Sequence, residues 1–218
     1  MIPLRSSERT YTPATVTLVL ITLNVAVFFF ELSLAPWYRD RFISYYGLVP
    51  DRFHFSALVT CMFLHGGWLH ILGNMWFLWI FGKGIEDLVG HGRYLLFYLA
   101  CGVAAGLVHV AVNYNSDVPT IGASGAIAGI MGAYLVKFPR ARIVTLVPIF
   151  VFLTTLEIPA VFLLLYWFAI QFLSGYGSIA GHIYGGDNTA WFAHVGGFVA
   201  GMLLILVLPA QQRWRRWN

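Results

Sequence analysis

Hydrophobic positions along this chain gather into long apolar runs, separated by clusters of Gly, Pro, Asn and charged residues that act as loop punctuation. A helix needs about 20 apolar residues to cross a hydrocarbon core of ~30 Å. Six stretches are candidates: residues 14–34, about 58–81, about 94–112, 124–138, about 158–173 with a leading apolar stretch from Ile143, and 191–208. The pattern predicts an all-α, polytopic membrane protein. It shows no convincing internal repeat, which disfavours a transporter built from inverted repeats.

The fourth stretch is short. At 1.5 Å per residue it covers roughly 22 Å, less than the membrane core. With Lys137 and Arg140 at one interface, Ser124 at the other end stops inside the membrane. Non-helical backbone at that depth must be buried in protein or line water. The segment from Pro119 to Ser124 therefore implies a cavity open to the outer side.

Composition sharpens this picture. Of 218 residues 59% are hydrophobic and only 10% charged, against about 25% charged in soluble domains. Such a surface in water would expose large apolar patches. The net charge of +4 forms no basic stripe, so no nucleic acid partner is expected. Ten of the 13 basic side chains (Arg5, Arg9, Lys83, Arg93, Lys137, Arg140, Arg142, Arg213, Arg215, Arg216) fall on one side of a six-helix layout, and Arg39, Arg41 and Arg52 on the other. The positive-inside rule then makes both termini cytoplasmic. The expected location is a plasma (inner) membrane of a prokaryote. Residues 1–13 read as an N-terminal tail, 14–209 as the membrane domain and 210–218 as a basic tail, with Trp214, Arg215, Arg216 and Trp217 an interfacial anchor. No clear small-x-small cleavage site follows the first run, Ser33-Leu34-Ala35 being a poor candidate, so it reads as a retained helix. Cys61 and Cys101 read as buried packing residues.

Three elements carry candidate chemistry. Gly122-Ala123-Ser124-Gly125-Ala126 puts a serine at a helix start, beside free backbone N–H groups that suit a developing negative charge. Read alone, such a motif is more often a packing interface of small residues. His194 lies about one turn inside the last run; it is a base or an interfacial histidine near a helix end. Gly197 and Gly201 form one G-x-x-x-G face, and Gly125 and Gly129 another. Pairing the two faces would bring His194 to Ser124, where neutral imidazole is the usual base. His70 and Asn74, four apart on one helix face, can both donate to an oxyanion, or glue helices together. No acidic third member is evident near His194. His91, His109 and His182 lack ligand-like spacing, so no metal is assigned, and no cofactor. Glu157 is expected at the cytoplasmic start of the fifth helix, paired with a nearby Arg or with water.

At these residues the chain resembles the rhomboid family of intramembrane serine proteases, over about residues 54–208. G-x-S-G matches Gly122 to Gly125 and implies Ser124 as nucleophile. H-x-x-x-N with a histidine five residues earlier matches His65, His70 and Asn74. The resemblance implies an oxyanion site of His70, Asn74 and the Ser124 N–H, with His65 structural. A-H-x-x-G-x-x-x-G matches Ala193 to Gly201 and implies His194 as the base. Glu86 matches an acidic hydrogen-bonding anchor. Two positions depart: Ser56-Ala57 stands where a Trp-Arg pair braces the first loop, and Ala128 where an aromatic stacks beneath the base. The implied fold is a six-transmembrane-helix rhomboid-like bundle with a partly embedded first loop, where Trp37, Tyr38, Phe53 and Phe55 suit an interfacial element. The implied function is a serine endopeptidase acting on membrane-spanning protein substrates within the lipid bilayer, by a Ser124–His194 dyad. The alternatives are a non-proteolytic rhomboid-like protein that binds membrane helices, and a small transporter. The oligomeric state is not legible.

Overall fold

The computed structural model describes residues 2–149, 152–179 and 190–211. A short strand β1 (Ile2–Ser6) precedes helices α1 (Thr15–Ser33) and α2 (Pro36–Tyr46). After a 3-10 turn at Pro50–Arg52 come α3 (Ala57–Thr60), a second 3-10 turn (Cys61–Phe63), α4 (Trp68–Val89), α5 (His91–Val112) and α6 (Ser124–Lys137). A hairpin of β2 (Arg142–Ile149) and β3 (Phe152–Pro159) leads into α7 (Ala160–Ile179), and α8 (Trp191–Val207) follows. His182 and the Trp214–Trp217 anchor lie outside the described residues.

The chain is mostly helical, but the expectation of an all-α protein needs one correction. The strands form an antiparallel sheet of order β1-β2-β3. The apolar stretch from Ile143, read as a lead into the fifth helix, is β2 and β3, and Glu157 sits in β3 rather than at a helix start. It does meet an arginine, Arg142 across the hairpin, at 3.5 Å. Residues 2–6 of the expected N-terminal tail are a strand. The second run divides into α3, a 3-10 turn and α4, because Gly66-Gly67 interrupts it.

Helix α6 is the central element: every side from Gly125 to Tyr134 is buried, and it packs most extensively on α8. Small residues permit this. A Cβ on Gly197 would collide with the Gly125 carbonyl, and one on Gly201 with the Gly129 carbonyl. The two helices thus meet backbone to backbone through the paired glycine faces. Around this core the outer surface stays apolar, with Leu69 87%, Phe162 65% and Val207 78% exposed. Among the described residues two helices, Thr15–Ser33 and His91–Val112, are long and apolar enough to cross a membrane alone. α6, Ala160–Ser174 and α8 are shorter apolar helices.

Buried carboxylates tie the bundle together. Glu86 on α4 accepts from the Val16 and Thr17 amides at 2.8 Å each, from Thr17 Oγ1 at 2.7 Å, and meets His91 Nδ1 at 2.6 Å. These donors include free amides of the α1 N-terminus, where a negative charge is favoured. Glu86 is therefore a hydrogen-bonding anchor. At the other end of α1, Glu31 accepts from the His65 amide at 3.2 Å. The first loop, lacking the Trp-Arg brace, is held instead by Thr60 Oγ1 donating to the Tyr46 carbonyl (2.6 Å) and by His54 Nε2 against the Tyr45 carbonyl (3.1 Å). A two-way backbone bridge joins Leu48 to Thr120, which fixes the segment that enters α6.

Candidate active site

The turn before α6 aims the serine. Gly122 has φ +121°, a conformation costly for any residue with a Cβ. A Cβ there would also lie 2.6 Å from His70 Nε2. Its amide donates to the Cys61 carbonyl at 2.9 Å. The chain then enters α6 at Ser124, so the first amides of the helix have no intrahelical acceptor.

The paired glycine faces bring α8 alongside, and Ser124 Oγ lies 2.8 Å from His194 Nε2. Both line a cavity of 630 Å³ together with His70, Asn74, Trp167 and Gln171. The four residues singled out from sequence therefore share one cavity. The Gly66 amide donates to His70 Nδ1 at 3.4 Å. That leaves the proton on Nε2, the nitrogen facing Gly122. Asn74 is buried, and its Nδ2 donates to no group among the described residues. A buried donor left unpaired is costly, and functional sites are where such a cost is tolerated. This donor and the His70 Nε2–H converge on the Gly122 turn, beside the α6 N-terminus.

His65 is fully buried and packs edge-on against His70, ring centroids 5.1 Å apart. It faces His70 as a packing ring. His91 and His109 bond to protein groups: His91 to Glu86, and His109 Nε2 to Thr120 Oγ1 at 2.7 Å.

Two residues of α7 complete the surroundings of His194, and sequence reasoning missed both. His194 Nδ1 lies 2.7 Å from Gln171 Oε1. The Trp167 ring sits 5.9 Å from the imidazole at 40°. Trp167 thus supplies the aromatic neighbour that Ala128 cannot. The signal available was a lone amide in an apolar run, with a tryptophan one turn before it.

The Rhomboid domain family model matches residues 52–211. Relatives include YdcA of Bacillus subtilis (strain 168), 34% identical over 55% of this chain and 60% of its own. Rhomboid-like protein 11, chloroplastic, of Arabidopsis thaliana is 33% identical over 81% of this chain and 62% of its own. The human presenilin-associated rhomboid-like protein, mitochondrial, is 30% identical over 61% of this chain and 36% of its own. In each case the matched region spans less than two thirds of the relative's length. The family match covers the glycine turn, the α4 polar pair and the α8 histidine alike, and the chain belongs to the rhomboid family.

Proposed function

We propose that this chain is an intramembrane serine endopeptidase in which Ser124 is the nucleophile and His194 its general base. The observation that carries the proposal is the 2.8 Å contact between Ser124 Oγ and His194 Nε2 inside a cavity that also holds His70 and Asn74. A serine hydroxyl is a weak nucleophile until a base within hydrogen-bond reach takes its proton. Here the base is in reach without rearrangement.

The chain would span the bilayer six times, by α1, α4, α5, α6, α7 and α8, with both termini cytoplasmic and the site toward the outer face. The exposed apolar side chains suit lipid, and among the described residues α1 and α5 are each long and apolar enough to cross a membrane. The substrate is the membrane-spanning segment of another protein. Its carbonyls are hydrogen-bonded while helical, so the segment must unwind before attack; Gly or Pro near the cut lowers that cost. Water in the cavity solvates the freed backbone.

Ser124 Oγ attacks the scissile carbonyl carbon as its proton passes to His194 Nε2. The tetrahedral oxyanion accepts hydrogen bonds from His70 Nε2–H, Asn74 Nδ2–H and the Ser124 amide. Collapse breaks the C–N bond, and the imidazolium protonates the leaving amine. A water, deprotonated by the same imidazole, then hydrolyses the acyl-enzyme and regenerates Ser124.

The test is incubation of the purified protein with a labelled single-span substrate, the cut mapped by mass spectrometry. Ser124→Ala is expected to abolish cleavage and labelling by a fluorophosphonate probe. Cleavage at the wild-type rate in Ser124→Ala would refute the assignment. Binding of the substrate without any cut by the wild type would favour a helix-holding protein instead.

A further inference from the structure

His194 can act as a base toward Ser124 only while its Nε2 lone pair faces the hydroxyl, and a residue outside the dyad fixes that state. An amide oxygen accepts hydrogen bonds and never donates them. With Gln171 Oε1 at 2.7 Å, His194 Nδ1 must carry the proton. In the neutral ring this leaves Nε2 unprotonated, the form that accepts the Ser124 proton. Gln171 is 8% exposed within the apolar stretch 160–173 of α7, and a buried amide is costly unless hydrogen-bonded. Trp167 lies one turn earlier on the same face of α7. Its ring also stacks on Phe198 of α8 at 6.0 Å and 30°. One helix that carries neither half of the dyad therefore both orients the imidazole and covers it.

The foot of that helix is secured. β3 runs directly into α7 at Pro159–Ala160 and pairs through β2 to β1. The Pro3 carbonyl of β1 accepts from Trp76 Nε1 of α4 at 2.6 Å. Gln171 stands roughly 16 Å above Ala160 along the helix axis. A tilt of ~10° about the foot carries Gln171 by ~3 Å, which opens the hydrogen bond.

Building on the Ser124–His194 assignment, we propose that Gln171 is a positioning residue whose amide oxygen sets the tautomer of His194, so that the position of α7 governs whether the base is competent. Among the described residues, the titratable groups that act electrostatically on His194 are His70 of α4 and His109 of α5; α6 presents Ser124, and α7 presents Trp167 and Gln171. Any change in pH response on altering Gln171 is therefore read against those two fixed histidines.

The experiment measures kcat and KM against pH for the full chain in detergent with the labelled single-span substrate, in wild type, Gln171→Met and Gln171→Glu. Fluorophosphonate labelling of Ser124 is followed in parallel. Gln171→Met is expected to lower kcat about 10-fold, the scale of one lost orienting hydrogen bond, with KM within about two-fold. In Gln171→Glu a carboxylate faces Nδ1–H and favours the imidazolium. The acid limb of kcat is expected to move to higher pH by about one unit. A packing role alone would lower the melting temperature and leave kcat of the folded Gln171→Met protein at the wild-type value. Wild-type kcat in Gln171→Met, or an unmoved acid limb in Gln171→Glu, overturns the proposal. Where Gln171→Met does not yield folded protein, the limb in Gln171→Glu decides. A wild type that neither cuts nor takes the probe overturns the protease assignment, and this inference with it. An active wild type with unaltered Gln171 variants overturns this inference alone.

Discussion

Replacing Gly201 by alanine tests whether the contact between α6 and α8 sets the distance between serine and imidazole. A Cβ at Gly201 would meet the Gly129 carbonyl oxygen, and would lie 2.5 Å from the carbonyl carbon and 2.6 Å from the Cα. Non-bonded carbons settle at about 3.5–4.0 Å, so α8 must move away from α6 by ~1 Å. Both partners are backbone, and no side chain can rotate aside. Overpacking of this kind costs about 1–3 kcal/mol, or a fall in melting temperature of about 3–10 °C for a chain of this size. His194 stands two turns from Gly201 on the same helix, and a displacement of ~1 Å at the reacting atoms costs about 10²-fold in rate. The assay is kcat on the single-span substrate, with melting followed in the same detergent. Gly92→Ala in α5 is the control, because its Cβ would meet nothing within 4 Å; it is expected to keep the wild-type rate and melt at the same temperature or slightly higher. Gly201→Ala behaving like Gly92→Ala would refute the claim that this backbone contact sets the site.

Two other perturbations separate the chemistry from the scaffold. Asn74→Ala is expected to lower kcat by about 10²-fold, as loss of an oxyanion donor does, with little change in melting because Nδ2 bonds nothing among the described residues; a melting loss without a kcat loss would instead assign Asn74 to helix packing. Glu86→Ala strips the α1 N-terminus of its acceptor and is expected to destabilise by about 3 kcal/mol, read by thermal or SDS unfolding. Since Glu86 lies at the end of α4 away from His70 and Asn74, the remaining folded fraction should turn over normally, and a kcat defect at full folding would contradict that separation.

How much of this was legible before any coordinates depended on the kind of signal. The glycine pairs could be read because close helix packing demands small residues at a fixed spacing, and the match of Gly197 to Gly125 and Gly201 to Gly129 follows from it. The family motifs carried His70, Asn74, Ser124 and His194 into one cavity. The sheet was hidden because Ile143–Leu153 is largely apolar, and such a run does not reveal whether it is strand or helix. Pro148 and Pro159 hinted at breaks. The brace of the first loop was equally opaque, since Thr60 to Tyr46 is a side-chain-to-backbone bond whose acceptor any residue could offer. Gln171 was missed because it was sought among acids. An amide serves the geometric half of that task, fixing the tautomer, without placing a charge in the bundle.

The sheet also ties together parts of the chain that are made far apart in time. Ser7 Oγ accepts from the Arg142 amide across 135 positions, and β1 cannot pair until β2 exists. During synthesis the first residues must wait while α1 through α6 are laid down, and the clasp cannot close before β2 follows them. A bulky group fused ahead of Ile2 would therefore be felt least by α1, its neighbour along the chain, and most by α7, which rises from the platform those residues complete.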